Sequence, residues 1–198
     1  MKKTAFTMME LIIVIVIAGI LAAVMMPRLE RDNLREATNQ VLRHIQYTQH
    51  LAMVNEIYDA AQPNWRNALW QISFRNSSES CYLVGSSADY NAAIGRNETA
   101  VDPLTKQRLY SSNTCVYNSL DNQDVFLNKS YGVTNVALSN SCGGNSYIAF
   151  DNIGKPFKDR NIAHPITTPC TVTLTAASRN AVITIEPETG YARITSIN

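Results

Sequence analysis

Charged side chains are scarce in this chain of 198 residues, and neither sign of charge dominates. Lys, Arg, Asp and Glu together make up 17% of the residues, against roughly 25% in an average soluble domain. The formal net charge is +1, so we predict no polybasic or polyacidic partner. Polar side chains are absent altogether from Leu11 to Met26. This uneven distribution argues against a simple cytosolic domain.

Sequence motifs for catalysis and metal binding are also missing. The histidines are His44, His50 and His164. They match neither H-E-x-x-H nor a zinc-finger spacing, and the chain has no G-x-S-x-G sequence and no glycine-rich phosphate loop. His44 and His50 lie six positions apart on a predicted helix, where we expect them to be solvated or at the core edge. The spacing of Asp151, Asn152 and Asp159 matches no calcium loop. We therefore predict no enzymatic activity, no cofactor and no metal site.

Four cysteines are dispersed through the polar part of the chain: Cys81, Cys115, Cys142 and Cys170. None belongs to a C-x-x-C pair, which argues against a metal or redox motif. Behind a membrane-directing segment, an even number of dispersed cysteines indicates disulfides formed in an oxidising compartment. Three pairings are open, with buried free thiols as the alternative. We favour Cys81–Cys115 and Cys142–Cys170, which close short loops.

The apolar segment near the N-terminus has the length of a membrane-spanning helix. Residues 6–26 number 21, and as a helix they extend about 30 Å. Lys2 and Lys3 precede the segment and predict a cytoplasmic N-terminus. No clear A-x-A cleavage site follows it, and Glu10 lies near its start, where insertion of a carboxylate costs roughly 2.5–3.5 kcal/mol. Glu10 is therefore a candidate functional residue, unless it is merely the headgroup-level flank of a plain anchor.

Beyond this segment the pattern predicts an amphipathic helix followed by β structure. The helix is predicted over 27–62, with its apolar face at Leu34, Ala37, Val41, Ile45, Thr48 and Ala52. Strands are predicted at 68–74, 81–84, 125–127, 133–138, 147–150, 171–175, 181–186 and 191–194. The fold class is thus α+β, with a long N-terminal helix packed on a small antiparallel β domain. The irregular loop 86–113 is of a length that often carries an interaction surface.

A specific pattern of residues covers about the first 25 positions. It consists of Lys2-Lys3-Thr4-Ala5, then Phe6-Thr7-Met8-Met9-Glu10-Leu11-Ile12, then Gly19-Ile20-Leu21-Ala22-Ala23 and Pro27. The pattern resembles the class III signal of type IV pilins and pseudopilins, although Ala5 stands where these families usually have Gly. The resemblance implies cleavage between Ala5 and Phe6 by a prepilin peptidase, followed by N-methylation of Phe6. It also implies assembly into a filament, in which Glu10 pairs with the new amine of a neighbouring subunit.

This resemblance implies a single-pass protein of the bacterial inner membrane, with a cytoplasmic N-terminus and a periplasmic C-terminal domain. Its partners would be other pilins or pseudopilins and an inner-membrane assembly platform. The predicted parts are a leader peptide at 1–5, a transmembrane and assembly helix at 6–26, an amphipathic helix at 27–62 and a periplasmic β domain at 63–198.

Three later stretches, 42–55, 148–156 and 183–191, are similar to H-type minor pseudopilins, the GspH/FimT family. That family pairs a long N-terminal helix with a small two-sheet β domain. The resemblance implies a minor subunit of a type II secretion pseudopilus, or of a related type IV pilus-like filament, that serves protein secretion. Gly154 and Gly190 are expected to supply backbone freedom in turns.

Two alternative functions remain open. One is a DNA-binding minor pilin of a natural transformation system, with Arg179 and Arg193 as the candidate contacts. So few cations predict weak, salt-sensitive binding to nucleic acid. The other is a membrane-tethered periplasmic enzyme or adhesin, which would need neither prepilin cleavage nor Glu10.

Overall fold

The chain has an α+β architecture with two antiparallel sheets. A computed structural model describes residues 8–25, 32–55, 58–90, 93–144, 146–159 and 164–198. The chain divides into two compact units, Met1–Asp32 and Asn33–Asn198. Each sheet has four strands and belongs to the second unit.

The first unit contains helix α1, Met8–Met25. Apart from Glu10 the helix is apolar on every side, so it lacks the amphipathic stripe that directs one face of a helix onto a core. Its large side chains from Met8 to Leu21 are each at least 50% exposed. Within the described residues, none of the helices combines the length and the apolar character required of a transmembrane span. The span predicted at 6–26 extends past both ends of α1 into residues that the structure does not describe.

Helix α2, Asn33–Val54, supplies one side of the core of the second unit. All six residues of its predicted apolar face are buried, and Thr38, Gln40 and His44 are buried with them. At its C-terminal end the helix is shorter than the predicted 27–62, and residues 27–31 of that prediction lie outside the described residues. Its buried face ends at Ala52, and Met53 and Val54 are exposed, so the last described residues of the helix gain no stability from packing on the core.

Eight strands form the two sheets. They are β1 (Trp70–Asn76), β2 (Ser80–Gly85), β3 (Asn135–Leu138), β4 (Tyr147–Phe150), β5 (Pro156–Phe157), β6 (Cys170–Ala176), β7 (Arg179–Ile185) and β8 (Ala192–Ile197). The first sheet has the order β2-β1-β4-β5 and the second the order β3-β6-β7-β8. The predicted hairpin β1–β2 and the C-terminal meander are confirmed, with bounds that shift by a few residues. Strand β5, with two residues, was not predicted.

The strand predicted at 125–127 is wrong. A 3₁₀ turn, Gln123–Val125, is followed there by the short helix α3, Leu127–Tyr131. The side chain of Asn122 accepts a hydrogen bond from the backbone N–H of Asp124, and Gly132 ends α3 in the left-handed conformation with φ 71°. These local caps satisfy the backbone and outweigh the strand preference of a short apolar run.

The core lies between α2 and the inner faces of both sheets. Helix α2 contacts β1, β7 and β8 most extensively, and the fully buried side chains include Ile45, Ile72, Phe74 and Leu174. Burying one such aliphatic or aromatic side chain contributes about 1.5–3 kcal/mol to stability. The second unit therefore has a hydrophobic core of its own.

Two disulfides close loops within the second unit. Cys81 pairs with Cys115 and Cys142 with Cys170, across sequence separations of 34 and 28 residues and Cα–Cα distances of 5.7 and 5.0 Å. These are the pairings that the short loops favoured. A loop of this length restricts the unfolded chain by about 3–4 kcal/mol in the chain-entropy model.

Candidate functional site

The candidate assembly residues lie on α1 and before it. Glu10 is in the first turn of α1 and is exposed, and a carboxylate near a helix N-terminus interacts favourably with the helix dipole. Ala5 and Phe6, the predicted cleavage and methylation residues, lie outside the described residues. The described part of α1 therefore presents a single carboxylate on an otherwise apolar surface.

Two turns of the β domain meet on α2 at Gln49. The Nε2 of Gln49 donates hydrogen bonds to the carbonyl oxygens of Gly154, at 2.9 Å, and Thr189, at 2.7 Å. Gly154 and Gly190 have φ values of +81° and +64°, which glycine adopts without steric cost. A Cβ at Gly190 would lie 2.5 Å from Nε2 of Gln49 and would also meet the carbonyl oxygen of Gly154. Gly190 is thus required for close approach as well as for turn geometry, whereas Gly154 is required for turn geometry.

The three stretches that resemble H-type pseudopilins converge on this contact. Residues 42–55 supply the glutamine, and residues 148–156 and 183–191 supply one glycine each. An ion pair between Lys155 Nζ and Glu188 Oε2, at 2.6 Å, links the two turns at the surface, where such a pair contributes about 0–1 kcal/mol. In this fold the three stretches together hold the β4–β5 and β7–β8 turns against α2.

A buried polar network lies between α2, β2 and α3. The ring of His44 is 2% exposed, and its Nδ1 lies 2.7 Å from Tyr82 Oη. Its Nε2 lies 3.3 Å from Nε2 of Gln40, which also donates to Asp124 Oδ2 at 3.1 Å. The other oxygen of Asp124 accepts from Tyr131 Oη at 3.0 Å. A neutral ring that carries its hydrogen on Nδ1 satisfies both contacts. The prediction that His44 is solvated or at the core edge is therefore wrong.

Burial keeps the rings of His44 and Tyr82 in this network neutral. It lowers the pKa of His44 from 6.5 to about 4. The charge of Asp102 has a smaller effect that raises this pKa, and the charge of Arg43 has a smaller effect that lowers it. Burial likewise raises the pKa of Tyr82 well above its usual value of 10. Each ring has a partner inside the protein, so the network acts as a structural element. In the described part of the chain, no cluster of three or more His, Cys, Asp or Glu side chains is arranged to hold a metal ion.

The two arginines considered for DNA binding do not form one basic patch. Arg179 opens β7, and its Nε donates to the carbonyl oxygen of Asn198 at 3.1 Å. Arg193 lies opposite Thr184 near the other end of β7, and its guanidinium pairs with Glu186 at 3.1 Å. The path along β7 from Arg179 to Thr184 is about 17 Å long at the usual rise of a strand. The two guanidinium groups are therefore far apart, and the carboxylate of Glu186 neutralises that of Arg193.

No family model matches this chain. Neither a curated protein nor a solved structure is significantly similar to it. The resemblance to pilin-like proteins thus depends on the residue patterns of the chain alone.

Two structurally important residues were missed at the level of sequence. His44 follows Val41 by three positions, and this helical spacing places it on the buried face of α2. The spacing could have predicted its burial, but a polar side chain was expected to be solvated. Gln49 gave no such signal, because its role depends on two turns more than 100 residues away along the chain.

Proposed function

We propose that the protein is a minor pilin-like subunit. It assembles through its N-terminal helix into a type II secretion pseudopilus, or a related type IV pilus-like filament that serves protein secretion. The observation that carries the proposal is α1, an exposed helix that is apolar on all sides and has Glu10 in its first turn. The folded unit that follows it has a separate core.

The exposed apolar surface of α1 needs a covering. Large contiguous apolar patches on a protein surface mark membrane or protein interaction sites, and the large side chains from Met8 to Leu21 are all exposed. In the proposal, lipid of the bacterial inner membrane covers them before assembly. Helices of neighbouring subunits cover them in the filament.

Glu10 has a defined part in this proposal. A carboxylate surrounded by apolar helices is costly unless an opposite charge accompanies it. Cleavage after Ala5 by a prepilin peptidase frees the amine of Phe6, which is then N-methylated and remains cationic. That amine pairs with Glu10 of a neighbouring subunit, so that neither charge is buried alone.

The second unit suits a periplasmic location. Its disulfides Cys81–Cys115 and Cys142–Cys170 are of the kind that persists in oxidising compartments. In the proposal this unit faces other subunits or cargo, and an inner-membrane assembly platform adds the subunits to the filament.

Replacing Glu10 by Ala tests the proposal. In the native bacterium we expect Glu10→Ala to enter the membrane normally but to fall at least tenfold in purified filaments, measured by immunoblotting of both fractions. Glu36→Ala, which removes an exposed carboxylate from the first turn of α2, is the matched control and should assemble as the wild type does. Wild-type incorporation of Glu10→Ala would instead favour a plain membrane anchor.

A further inference from the structure

The outer face of the first sheet carries polar side chains. Along β1, Ile72 and Phe74 point into the core beneath α2, so the alternate residues Gln71, Ser73 and Arg75 belong to the opposite face. On β1 this face is polar, whereas its neighbours Leu83 on β2 and Ala149 on β4, which pair with Ser73 and Gln71, are apolar and buried.

The long loop after β2 folds back against this sheet. Gly85 forms a bridge with Thr99, and a Cβ at Gly85 would lie 2.7 Å from the side chain of Ile94. The disulfide between Cys81 and Cys115 fastens the far end of the loop to β2. The described part of the segment 86–113, which was expected to carry an interaction surface, is thus held against β2 at one edge of the sheet.

An open groove of about 570 Å³ lies between the sheet face and this loop. Its lining includes Gln71, Ser73 and Arg75 from β1, Tyr110 and Asn113 from the loop, and Tyr147 from β4. The volume is within the range of small-molecule sites.

Gln71 is the strongest indication that the groove has a ligand. Its side chain is buried, with 2% of the residue's surface exposed, and its Oε1 has no hydrogen-bond partner among the described residues. Buried polar atoms in folded proteins are nearly always hydrogen-bonded, and an acceptor without a donor is energetically costly. A donor group lying in the groove would satisfy it.

The chemistry of the lining narrows the class of ligand. None of the described lining residues is Asp or Glu, and Arg75 is the one cation among them. The side-chain amides and hydroxyls both donate and accept hydrogen bonds, and the two tyrosine rings add flat apolar faces. This combination suits a ligand that has many hydroxyl or acetamido groups on compact rings.

Peptides and nucleic acids fit the groove less well. Strand addition requires a sheet edge and helix docking requires an apolar groove, whereas this groove lies on a sheet face and is mostly polar. Nucleic acids are held by several phosphate contacts from Lys and Arg, and the described lining provides one guanidinium.

We propose that the groove on the outer face of the first sheet binds an oligosaccharide. A hydroxyl or acetamido group of the sugar donates to Gln71 Oε1, Arg75 and Asn113 donate to its oxygens, and its rings lie against Tyr110 and Tyr147. This proposal is independent of filament assembly.

Calorimetric titration of the full chain in detergent micelles tests the proposal. The probes are chitotetraose, which carries acetamido groups, maltotetraose, which carries hydroxyls only, and an N-acetylated tetra-alanine amide. We expect at least one tetrasaccharide to bind. Comparison of the two affinities shows whether the acetamido group contributes to binding. Failure of both to bind, or a peptide that binds as tightly as the sugars, would overturn the proposal.

Variants distinguish the groove from other surfaces. We expect Gln71→Ala and Tyr147→Ala each to weaken sugar binding at least tenfold, with circular dichroism showing that the fold is retained. Tyr191→Ala, which removes an exposed tyrosine beside β8, is the matched control and should bind as the wild type does. If Gln71→Ala fails to fold, Tyr147→Ala decides. Unchanged affinity in the folded groove variants would place the sugar elsewhere and refute the assignment.

Discussion

His44 shows how burial sets the properties of a single residue in this fold. Burial disfavours the protonated form of its ring more than the charge of Asp102 favours it, so the pKa falls from 6.5 to about 4. In the unfolded chain the same ring titrates near 6.5. The folded state therefore binds fewer protons than the unfolded state between these two pH values, and stability falls as the pH is lowered through that window.

We expect the free energy of unfolding to decrease by about 2 kcal/mol between pH 7 and pH 4.5 because of this one group. Urea unfolding of residues 33–198 at the two pH values measures the change. His44→Gln should remove most of that pH dependence, whereas His50→Gln, at an exposed position of the same helix, should retain it. Equal pH dependence in the wild type and His44→Gln would show that other groups cause the loss.

At the scale of elements, the β4–β5 and β7–β8 turns share one contact on α2. The carbonyl oxygens of Gly154 and Thr189 share the amide of Gln49, and the absence of a side chain at Gly190 allows this approach. Any Cβ at that position meets both the turn and the helix. Position 190 therefore excludes larger residues for two reasons, steric contact with its neighbours and a positive φ.

Gly190→Ala should lower the free energy of unfolding by about 3 kcal/mol, from left-handed strain and overpacking together. Gly144→Ala is the matched control. Gly144 has a φ of +71°, but no described atom lies within 4 Å of the place that a Cβ would occupy there, so we expect a loss of only about 1–2 kcal/mol from strain. Chemical unfolding of residues 33–198 provides both values. Equal losses in the two variants would contradict the role of the Gln49 contact.

The elements that could be predicted from sequence are those set by local periodicity. The apolar face of α2 depends on the helix covering one side of the core, and the structure confirms it. Strands β1, β6 and β7 form close to the bounds predicted for them. The short helix α3 replaced a predicted strand because the caps at Asn122 and Gly132 decided the local conformation. The groove at Gln71 could not be predicted, since loop and sheet meet there only through tertiary packing.

At the scale of the whole molecule, the proposal gives the two units of the chain different roles. Residues 33–198 fold around a hydrophobic core fastened by two disulfides. The helix before them exposes its apolar residues and, in the proposal, joins one subunit to the next. This division requires that the apolar segment is retained in the mature protein and that its new N-terminus is cationic.

Mass spectrometry of the protein isolated from its native membrane tests this requirement most directly. We predict a chain that begins at Phe6, carries one added methyl group on its N-terminal amine and retains the segment 6–26. An intact Met1, or a product that lacks the whole apolar segment, would contradict the assembly role of the N-terminal helix.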